Sequence, residues 1–179
     1  MKTWIALLRG INVGGNHIIP MLRLRALLAE LGYEDVATYI QSGNCVFRTT
    51  VADAKTIASG IAGKIEEVFG FRPSVFALTL DALEKAQAGN PFAGGDPKFV
   101  HLFFLDRAVG KLDEKAMRAL ARKSDDFALI GTIFYLHTPE GFGNSKLADK
   151  LAKFLPVDMT ARNLRSVTRI VDMARAAGK

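Results

Sequence analysis

The sequence contains one cysteine, Cys45, among its 179 residues. A single thiol excludes an internal disulfide framework and an all-cysteine metal site, and it fits a reducing compartment. No apolar run approaches the roughly 20 residues that a membrane helix needs. The N-terminal apolar run stops at Arg9 and is too short for a signal peptide. We therefore expect a cytoplasmic protein that does not associate with membranes.

Motifs that would identify a reaction are also missing. The three histidines, His17, His101 and His137, are far apart and do not have the spacing of a zinc-binding helix. The G-x-S-x-G pattern of a nucleophilic serine does not occur, and Cys45 has no basic neighbour before Arg48 that would activate it. The sequence therefore predicts no metal and no cofactor. An enzyme assembled from residues distant in sequence stays open, because an acid and a base need not be neighbours in the chain.

Positive charge is present and unevenly distributed. The chain has 24 basic and 18 acidic residues, a formal net charge of +6. Residues 144–179 hold 8 basic and 3 acidic residues, so most of the excess lies in the last fifth of the sequence. Such clustering suits a phosphate-bearing partner, although modest basicity also serves solubility alone.

The first half has the order strand, helix, strand, strand, helix, strand. The predicted strand 3–9 is continuously apolar between Thr3 and Arg9, as expected of a central strand buried on both faces. Apolar spacings of three and four indicate the helices, and the turn residues 41–44 indicate a hairpin. The predicted strands are 3–9, 36–40, 45–49 and 73–80, and the predicted helices are 21–31 and 53–70. This order is the split βαβ of the ferredoxin-like motif.

A similar pattern restarts after a short helix over 81–88 and a connector over 89–97 that is rich in glycine and proline. The predicted strands are 99–105, 127–130 and 133–137, and the predicted helices are 113–123, 145–155 and 162–177. The last helix replaces a fourth strand, or precedes one contributed by the other half. The sequence thus predicts an α+β protein made of two ferredoxin-like halves, 1–88 and 98–179, packed together as one compact unit with an amphipathic C-terminal helix.

Six segments, in this order along the chain, carry a resemblance to a known family. They are ALLRGINVGG at 6–15 with YIQSGN at 39–44, NPF at 90–92, HLFFL at 101–105, and TARN at 160–163 with VT at 167–168. The sequence resembles the bacterial family of domain of unknown function 1697 over nearly its whole length. The resemblance implies two related α+β halves of ferredoxin-like character, and it implies no activity, substrate or catalytic residue.

The loop after the first strand is the first candidate binding segment. Loops between a buried strand and a helix often present backbone N–H groups to phosphate, although the glycine spacing here matches neither common nucleotide pattern. Glycine and asparagine would equally serve a tight turn at positive φ. The candidate residues in this loop are Arg9, Asn12, Gly14 and Gly15.

The hairpin turn is the second candidate. Its polar residues, Gln41, Ser42 and Asn44, offer amide and hydroxyl groups to a ligand, and turns also select these residue types for their own sake. The third candidate is the start of the helix at 145, where Asn144 or Ser145 would cap it. Lys146 is unfavourable in a first turn unless an anion lies nearby.

The last predicted helix is the fourth candidate. Its apolar residues share one face, and Arg162, Arg165 and Arg169 lie on the other, next to Asn163. The planar guanidinium group binds phosphates and carboxylates well, so this stripe is a candidate anion site. The alternative is a solvated face with partners such as Asp172.

Three functions are consistent with these features. The favoured one is binding of a phosphate-bearing ligand, a nucleotide or nucleic acid, through the basic C-terminal helix and the glycine-rich loops. The second is an enzyme acting on a small anionic metabolite, with Arg9, Asn12, Gln41 and Asn44 expected to line a pocket between the halves. The third is a structural role in a homodimer, which requires an exposed apolar patch or a large self-interface.

Overall fold

The computed structural model describes residues 1–178 of the chain. They form an α+β protein that divides into two compact units. Unit 1 comprises Met1–Glu84 and the residues from Thr168 onward, and unit 2 comprises Lys85–Val167. No helix among these described residues is long and apolar enough to cross a membrane.

Unit 1 is built around a four-stranded antiparallel sheet. Its elements are β1 (Lys2–Leu8), α1 (Met21–Glu30), β2 (Glu34–Tyr39), β3 (Asn44–Thr49), α2 (Ala54–Phe69) and β4 (Val75–Thr79), followed by α3 (Leu80–Ala88) at the junction with unit 2. The strand order is β2-β3-β1-β4, so the two strands that follow the helices lie on opposite sides of the β1–β3 pair. This is the ferredoxin-like arrangement that the order of elements predicts.

The central position of β1 explains its continuous apolar sequence. It pairs with β3 and with β4, and Trp4 lies opposite both Phe47 and Thr79. Trp4, Ala6 and Leu8 join the apolar faces of α1 and α2 in one core, whereas Ile5 and Leu7, also fully buried, point to the other side of the sheet. Since strand residues alternate between faces, both faces of β1 are shielded from water, as predicted.

The helix boundaries of unit 1 follow from residues that cap them. The Asp53 carboxylate accepts a hydrogen bond from Thr56 N at 2.7 Å and begins α2, and Gly70 ends it in the left-handed conformation at φ +75°. Pro20 precedes α1 directly, and Gly32 follows it at φ +80°. Pro20 and Gly32 therefore bound α1, and Asp53 and Gly70 bound α2.

Unit 2 repeats the architecture. Its elements are β5 (Val100–Leu105), α4 (Glu114–Leu120), β6 (Asp126–Ile130), β7 (Ile133–His137), α5 (Lys146–Lys150) and β8 (Met159–Asn163). The strand order β6-β7-β5-β8 matches that of unit 1, and all pairs are antiparallel. One face of the sheet packs on a core that includes Phe103, Phe134 and Met117.

The second half of the chain has a fourth strand, β8. The sequence-based prediction of three strands there was wrong. Residues 159–163 form β8, which pairs with β5 in the register His101↔Asn163. Met159 and Ala161 face the core of unit 2, and Arg162 is buried on the strand. Because α6 (Leu164–Ala176) follows without a break, the helical pattern at 164 hid the short strand before it. The predicted second domain, 98–179, contains all of α6, whereas the compact units divide this helix at Thr168.

The predicted helix over 145–155 is also shorter than expected. Regular α-helix covers only Lys146–Lys150, and a 3₁₀ turn continues it over Leu151–Lys153. Leu147, Leu151 and Leu155 are all buried, so the apolar spacing that suggested one helix is satisfied by the two short turns together.

Candidate functional site

The loop after β1 is held by hydrogen bonds between its own residues. Gly14 and Gly15 have φ values of +58° and +76°, and Asn16 N donates to Val13 O at 3.0 Å. Two central residues at positive φ are what a type I′ turn requires, so these glycines form the tip of a small hairpin. The glycines therefore serve the turn, which is one of the two roles the sequence allows for them.

Asn12 connects this loop to the β2–β3 turn. Its Nδ2 donates to Ile19 O at 3.0 Å and to Gln41 O at 2.9 Å, and its Oδ1 accepts from Ile19 N at 2.8 Å. Asn12 itself has φ +54°, a conformation that asparagine tolerates better than most residues. The two loops that the sequence singles out thus lie side by side, held by one amide side chain.

The β2–β3 turn is fixed in the same way. Asn44 is fully buried, and its Nδ2 donates to Tyr39 O and to Ser42 Oγ, both at 3.0 Å. Leu8 N donates to Gly43 O at 2.8 Å, which binds the turn to the end of β1. Ile40 stands in the left-handed region at φ +49° with 52% of its surface exposed. Isoleucine rarely adopts this conformation, so the surrounding hydrogen bonds impose it.

Arg9 lies at the base of both loops and is exposed. Its backbone N–H donates to Ser74 O at 2.9 Å, which joins a third loop, residues 70–74, to the same end of the sheet. His17 stacks on Phe71 with ring centroids 4.2 Å apart. The predicted residues Arg9, Asn12 and Gln41 are therefore neighbours, while the amides of Asn12 and Asn44 are bonded to the protein itself.

The segment before α5 is built for structure. Ser145 is buried and its hydroxyl accepts from Ala148 N at 3.2 Å, so it is the cap that the sequence predicts. The Asn144 carbonyl accepts from Arg122 Nη2 at 2.9 Å, and Lys146 is exposed to solvent. With only five residues, α5 has little dipole to offer an anion.

The predicted arginine stripe is divided between two elements. Arg162 lies in β8 and not on the helix, and its Nη1 donates to Thr160 Oγ1 and to Ala161 O, both at 2.8 Å. The Asn163 side chain accepts from Ser166 N at 2.9 Å at the start of α6. Arg165 and Arg169 remain exposed, one turn apart on α6. Only these two guanidinium groups keep the helical arrangement that the sequence predicts.

Unit 2 contains a basic cleft that the sequence analysis did not find. The cleft has a volume of about 430 Å³ and lies between the loop after β5 and the chain that follows the 3₁₀ turn at 151–153. Arg107, Lys111 and Lys153 line it together with apolar groups such as Phe154 and Val157. None of the described residues that line the cleft is acidic.

Arg107 is held in position at the edge of this cleft. Its Nη1 lies 2.9 Å from Asp106 Oδ2, and its Nη2 donates to Pro156 O at 3.3 Å. The two lysines, Lys111 and Lys153, are exposed. Arg107 and Lys111 lie in the loop after β5, the first strand of unit 2, as Arg9 lies in the loop after β1, the first strand of unit 1. The repeated order of elements could therefore have marked this loop as a candidate. Lys153 could not be assigned to it from the sequence, because it is more than 40 residues away.

His101 in unit 2 has a strongly shifted pKa. Burial lowers the pKa of its imidazole from 6.5 to about 4. The ring stacks on Phe142 with centroids 3.9 Å apart, and Nδ1 has no hydrogen-bond partner among residues 1–178. This histidine is neutral at pH 7 and packs as a partly buried aromatic ring against Phe142. Among the described residues no group of three or more His, Cys, Asp or Glu side chains could hold a metal ion.

Comparison with known proteins gives a family and a fold. A family model described as protein of unknown function, DUF1697, matches residues 1–135. A solved structure of a conserved bacterial protein from Streptococcus pneumoniae is similar to this chain with 26% sequence identity and a TM-score of 0.66. The likeness covers 97% of this chain and 98% of that one. A search of the curated proteins found no match.

Proposed function

The chain belongs to the DUF1697 family of proteins of unknown function, and we propose that it binds a phosphate-bearing ligand in the basic cleft of unit 2. The observation that carries the proposal is the convergence of Arg107, Lys111 and Lys153 on a cleft of about 430 Å³. This volume falls within the usual range of small-molecule sites, roughly 300–1,000 Å³.

Charge supports an anionic ligand over a neutral one. Concave surfaces lined by one sign of charge concentrate the field and attract ions of the opposite sign. Arg107 forms an ion pair with Asp106. The residues that line the cleft around Lys111 and Lys153 include no aspartate or glutamate. A ligand with two or more negative charges would restore neutrality there, and a phosphate group meets that requirement at pH 7.

The three cations have different roles in this proposal. Arg107 is oriented by Asp106 and Pro156 and presents the rest of its guanidinium group at the rim. Lys111 and Lys153 act as compact point charges on flexible stems that approach the phosphate oxygens from two loops. The apolar groups of Phe154 and Val157 offer a surface for a base, a ring or an alkyl portion of the ligand.

Thermal unfolding with a panel of ligands tests the proposal. Inorganic phosphate, nucleoside phosphates, sugar phosphates and short oligonucleotides are added to the purified protein. A ligand present at about 100 times its Kd stabilises the folded state by roughly 2.7 kcal/mol, which raises the midpoint measurably. We expect a stabilising phosphate compound whose effect weakens as salt is added, because its binding depends on exposed charges.

Matched variants locate the binding. Lys111→Ala/Lys153→Ala removes the two charges of the cleft, and Lys115→Ala/Lys123→Ala removes two exposed lysines of unit 2 outside its lining. The shift should vanish in the first double variant and persist in the second. No shift with any compound, or a shift that both variants retain, would overturn the proposal.

The α6 arginines provide the second candidate surface. Arg165 and Arg169 are exposed at helical spacing, a pattern that suits the backbone of a nucleic acid. If Arg165→Ala/Arg169→Ala abolishes the shift given by oligonucleotides and the cleft variant does not, the ligand is a nucleic acid and α6 is its site.

A further inference from the structure

The two walls of the basic cleft in unit 2 are joined to each other. One wall is the loop 107–111 after β5, and the other is the segment 153–157. Asp106 N donates to Asp158 O at 2.9 Å, and Arg107 Nη2 donates to Pro156 O at 3.3 Å. A cleft whose walls are connected before binding loses little conformational freedom when a ligand enters, which favours affinity.

The cationic side chains of the cleft leave two positive charges unmatched. Of its three cations, Arg107 is paired, because its Nη1 lies 2.9 Å from Asp106 Oδ2. Neither Lys111 nor Lys153 forms an ion pair or a side-chain hydrogen bond with any residue among 1–178. The carboxylate of Asp158, next to the second wall, accepts from Met159 N at 3.0 Å and does not line the cleft. The cleft therefore matches a ligand group that carries two negative charges.

The other side chains that line the cleft are entirely apolar. They are Ala108, Val109, Phe154, Pro156 and Val157. Sugar hydroxyl groups placed against them would lose water without gaining a side-chain partner, and an unmade hydrogen bond is costly. An alkyl or aromatic group would instead bury apolar surface, which is favourable. The lining therefore favours a ligand whose carbon portion is apolar.

We infer that the ligand of the basic cleft is a phosphomonoester with an alkyl or aromatic carbon portion. The inference rests on the proposed function, because it narrows the ligand of the same site. A terminal phosphate carries close to two negative charges at pH 7, one for each unmatched lysine. Phosphodiesters and sulfate esters carry a single negative charge, and a nucleoside triphosphate brings more negative charge than the two lysines offset.

Isothermal titration calorimetry of the full chain at about pH 7.5 tests the inference with probes that differ in one feature. Phenyl phosphate is the expected ligand. Methyl phenyl phosphate and phenyl sulfate keep the ring but carry one charge, and glucose 6-phosphate keeps the dianion but replaces the ring by hydroxyl groups. We expect phenyl phosphate to bind at least about fivefold more tightly than each of the others, since one exposed ion pair contributes up to about that factor.

Lysine variants locate this binding. Lys111→Ala/Lys153→Ala should weaken phenyl phosphate binding by about tenfold or more, because it removes both unmatched charges. Lys115→Ala/Lys123→Ala removes two exposed lysines outside the lining and should bind as wild type does. All four lysines are exposed, and unfolding midpoints equal to wild type confirm that both variants fold.

The protonation state of the ligand gives an independent test. The second ionisation of a phosphomonoester has a pKa of about 6, so lowering the pH from about 7.5 to about 5 removes most of the dianion. No histidine among residues 1–178 lines the cleft, and histidine is the residue type that usually titrates in this range. The charged side chains on the two walls and beside them are Asp106, Arg107, Lys111, Asp113, Lys153 and Asp158. Phenyl phosphate should bind about tenfold more weakly at the lower pH, whereas phenyl sulfate, a monoanion throughout, should not weaken.

The outcomes separate the inference from the proposed function. If methyl phenyl phosphate, phenyl sulfate or glucose 6-phosphate binds as tightly as phenyl phosphate, and Lys111→Ala/Lys153→Ala weakens them all, the inference is overturned while the proposed function stands. An affinity for phenyl phosphate that is the same at both pH values overturns the inference in the same way. If no phosphate compound binds, or if both double variants bind equally, the inference and the proposed function fall together.

Vesicle flotation distinguishes two sources of this chemistry, a soluble metabolite and the head group of phosphatidic acid. Phosphatidylglycerol vesicles are the matched control, because their head group is a phosphodiester with one negative charge. Flotation with phosphatidic acid alone, lost in Lys111→Ala/Lys153→Ala, supports the inference and assigns a lipid. No flotation, together with tight binding of phenyl phosphate, supports it and assigns a soluble ligand. Equal flotation with both lipids through the same lysines would overturn it, because a phosphodiester would then suffice.

Discussion

Gly43 offers a sharp test of how the loops of unit 1 fit together. Its φ is +77°, and a Cβ at this position would lie 2.7 Å from Leu8 Cβ and 2.9 Å from Ile11 Cδ1. Gly43→Ala adds left-handed strain of about 1–2 kcal/mol. The contact with buried, immobile side chains adds an overpacking cost of about 1–3 kcal/mol. We expect the free energy of unfolding to fall by roughly 2–5 kcal/mol.

A second glycine separates these two costs. Gly10 has φ +72°, and a Cβ there would meet no atom within 4 Å. Gly10→Ala should therefore cost only the conformational strain, about 1–2 kcal/mol. Urea unfolding followed by the fluorescence of Trp4, the single tryptophan, measures both variants in unit 1.

The difference between the variants decides the matter. A loss in Gly43→Ala that exceeds the loss in Gly10→Ala by about 1 kcal/mol or more assigns energy to the Leu8 and Ile11 contacts. Equal losses would refute the reasoning, because backbone conformation alone would then explain both.

Two further predictions concern His101 and Ile40. The pKa of His101 is about 4 in the folded state and 6.5 in the unfolded state. Between these pH values the unfolded state binds more protons than the folded state. The free energy of unfolding therefore falls as the pH drops from 6.5 to 4. His101→Phe keeps the stack on Phe142 and should remove about 3 kcal/mol of this pH dependence; parallel pH profiles of the two proteins would contradict the assignment. Ile40→Gly relieves left-handed strain and should raise the free energy of unfolding by up to about 1 kcal/mol in urea titrations. A clear loss of stability would mean that the Ile40 side chain packs in the fold.

The sequence predicted the fold of the first half well because glycine, proline and asparagine mark its boundaries. Gly32 and Gly70 end the two helices, and the continuous apolar run between Thr3 and Arg9 identified the central strand. In the second half, β8 was missed because its five residues include Arg162 and run directly into a helix. In a short polar strand beside a strongly periodic helix, the alternation of apolar and polar residues is too weak to identify the strand from its own sequence.

The candidate sites were harder to predict, because side-chain roles depend on contacts distant in sequence. The Asn12 to Gln41 hydrogen bond places the loop after β1 beside the β2–β3 turn, which the sequence left open. Whether any of these residues binds a ligand stays a prediction. The contribution of Lys153 to the basic cleft was out of reach of sequence reasoning, since Lys153 lines the same cleft as Lys111 only once unit 2 has folded.

The discontinuity of unit 1 has a consequence for synthesis on the ribosome. Residues 85–167 are translated before the segment from Thr168 onward that completes unit 1. At 5–20 residues per second this takes roughly 4–17 s. During that interval Glu84 lacks its ion pair with Arg175, and the nascent first unit waits for its last helix while the second, continuous unit emerges whole. A nascent chain stalled within the second unit would therefore expose an incomplete first unit to chaperones and proteases.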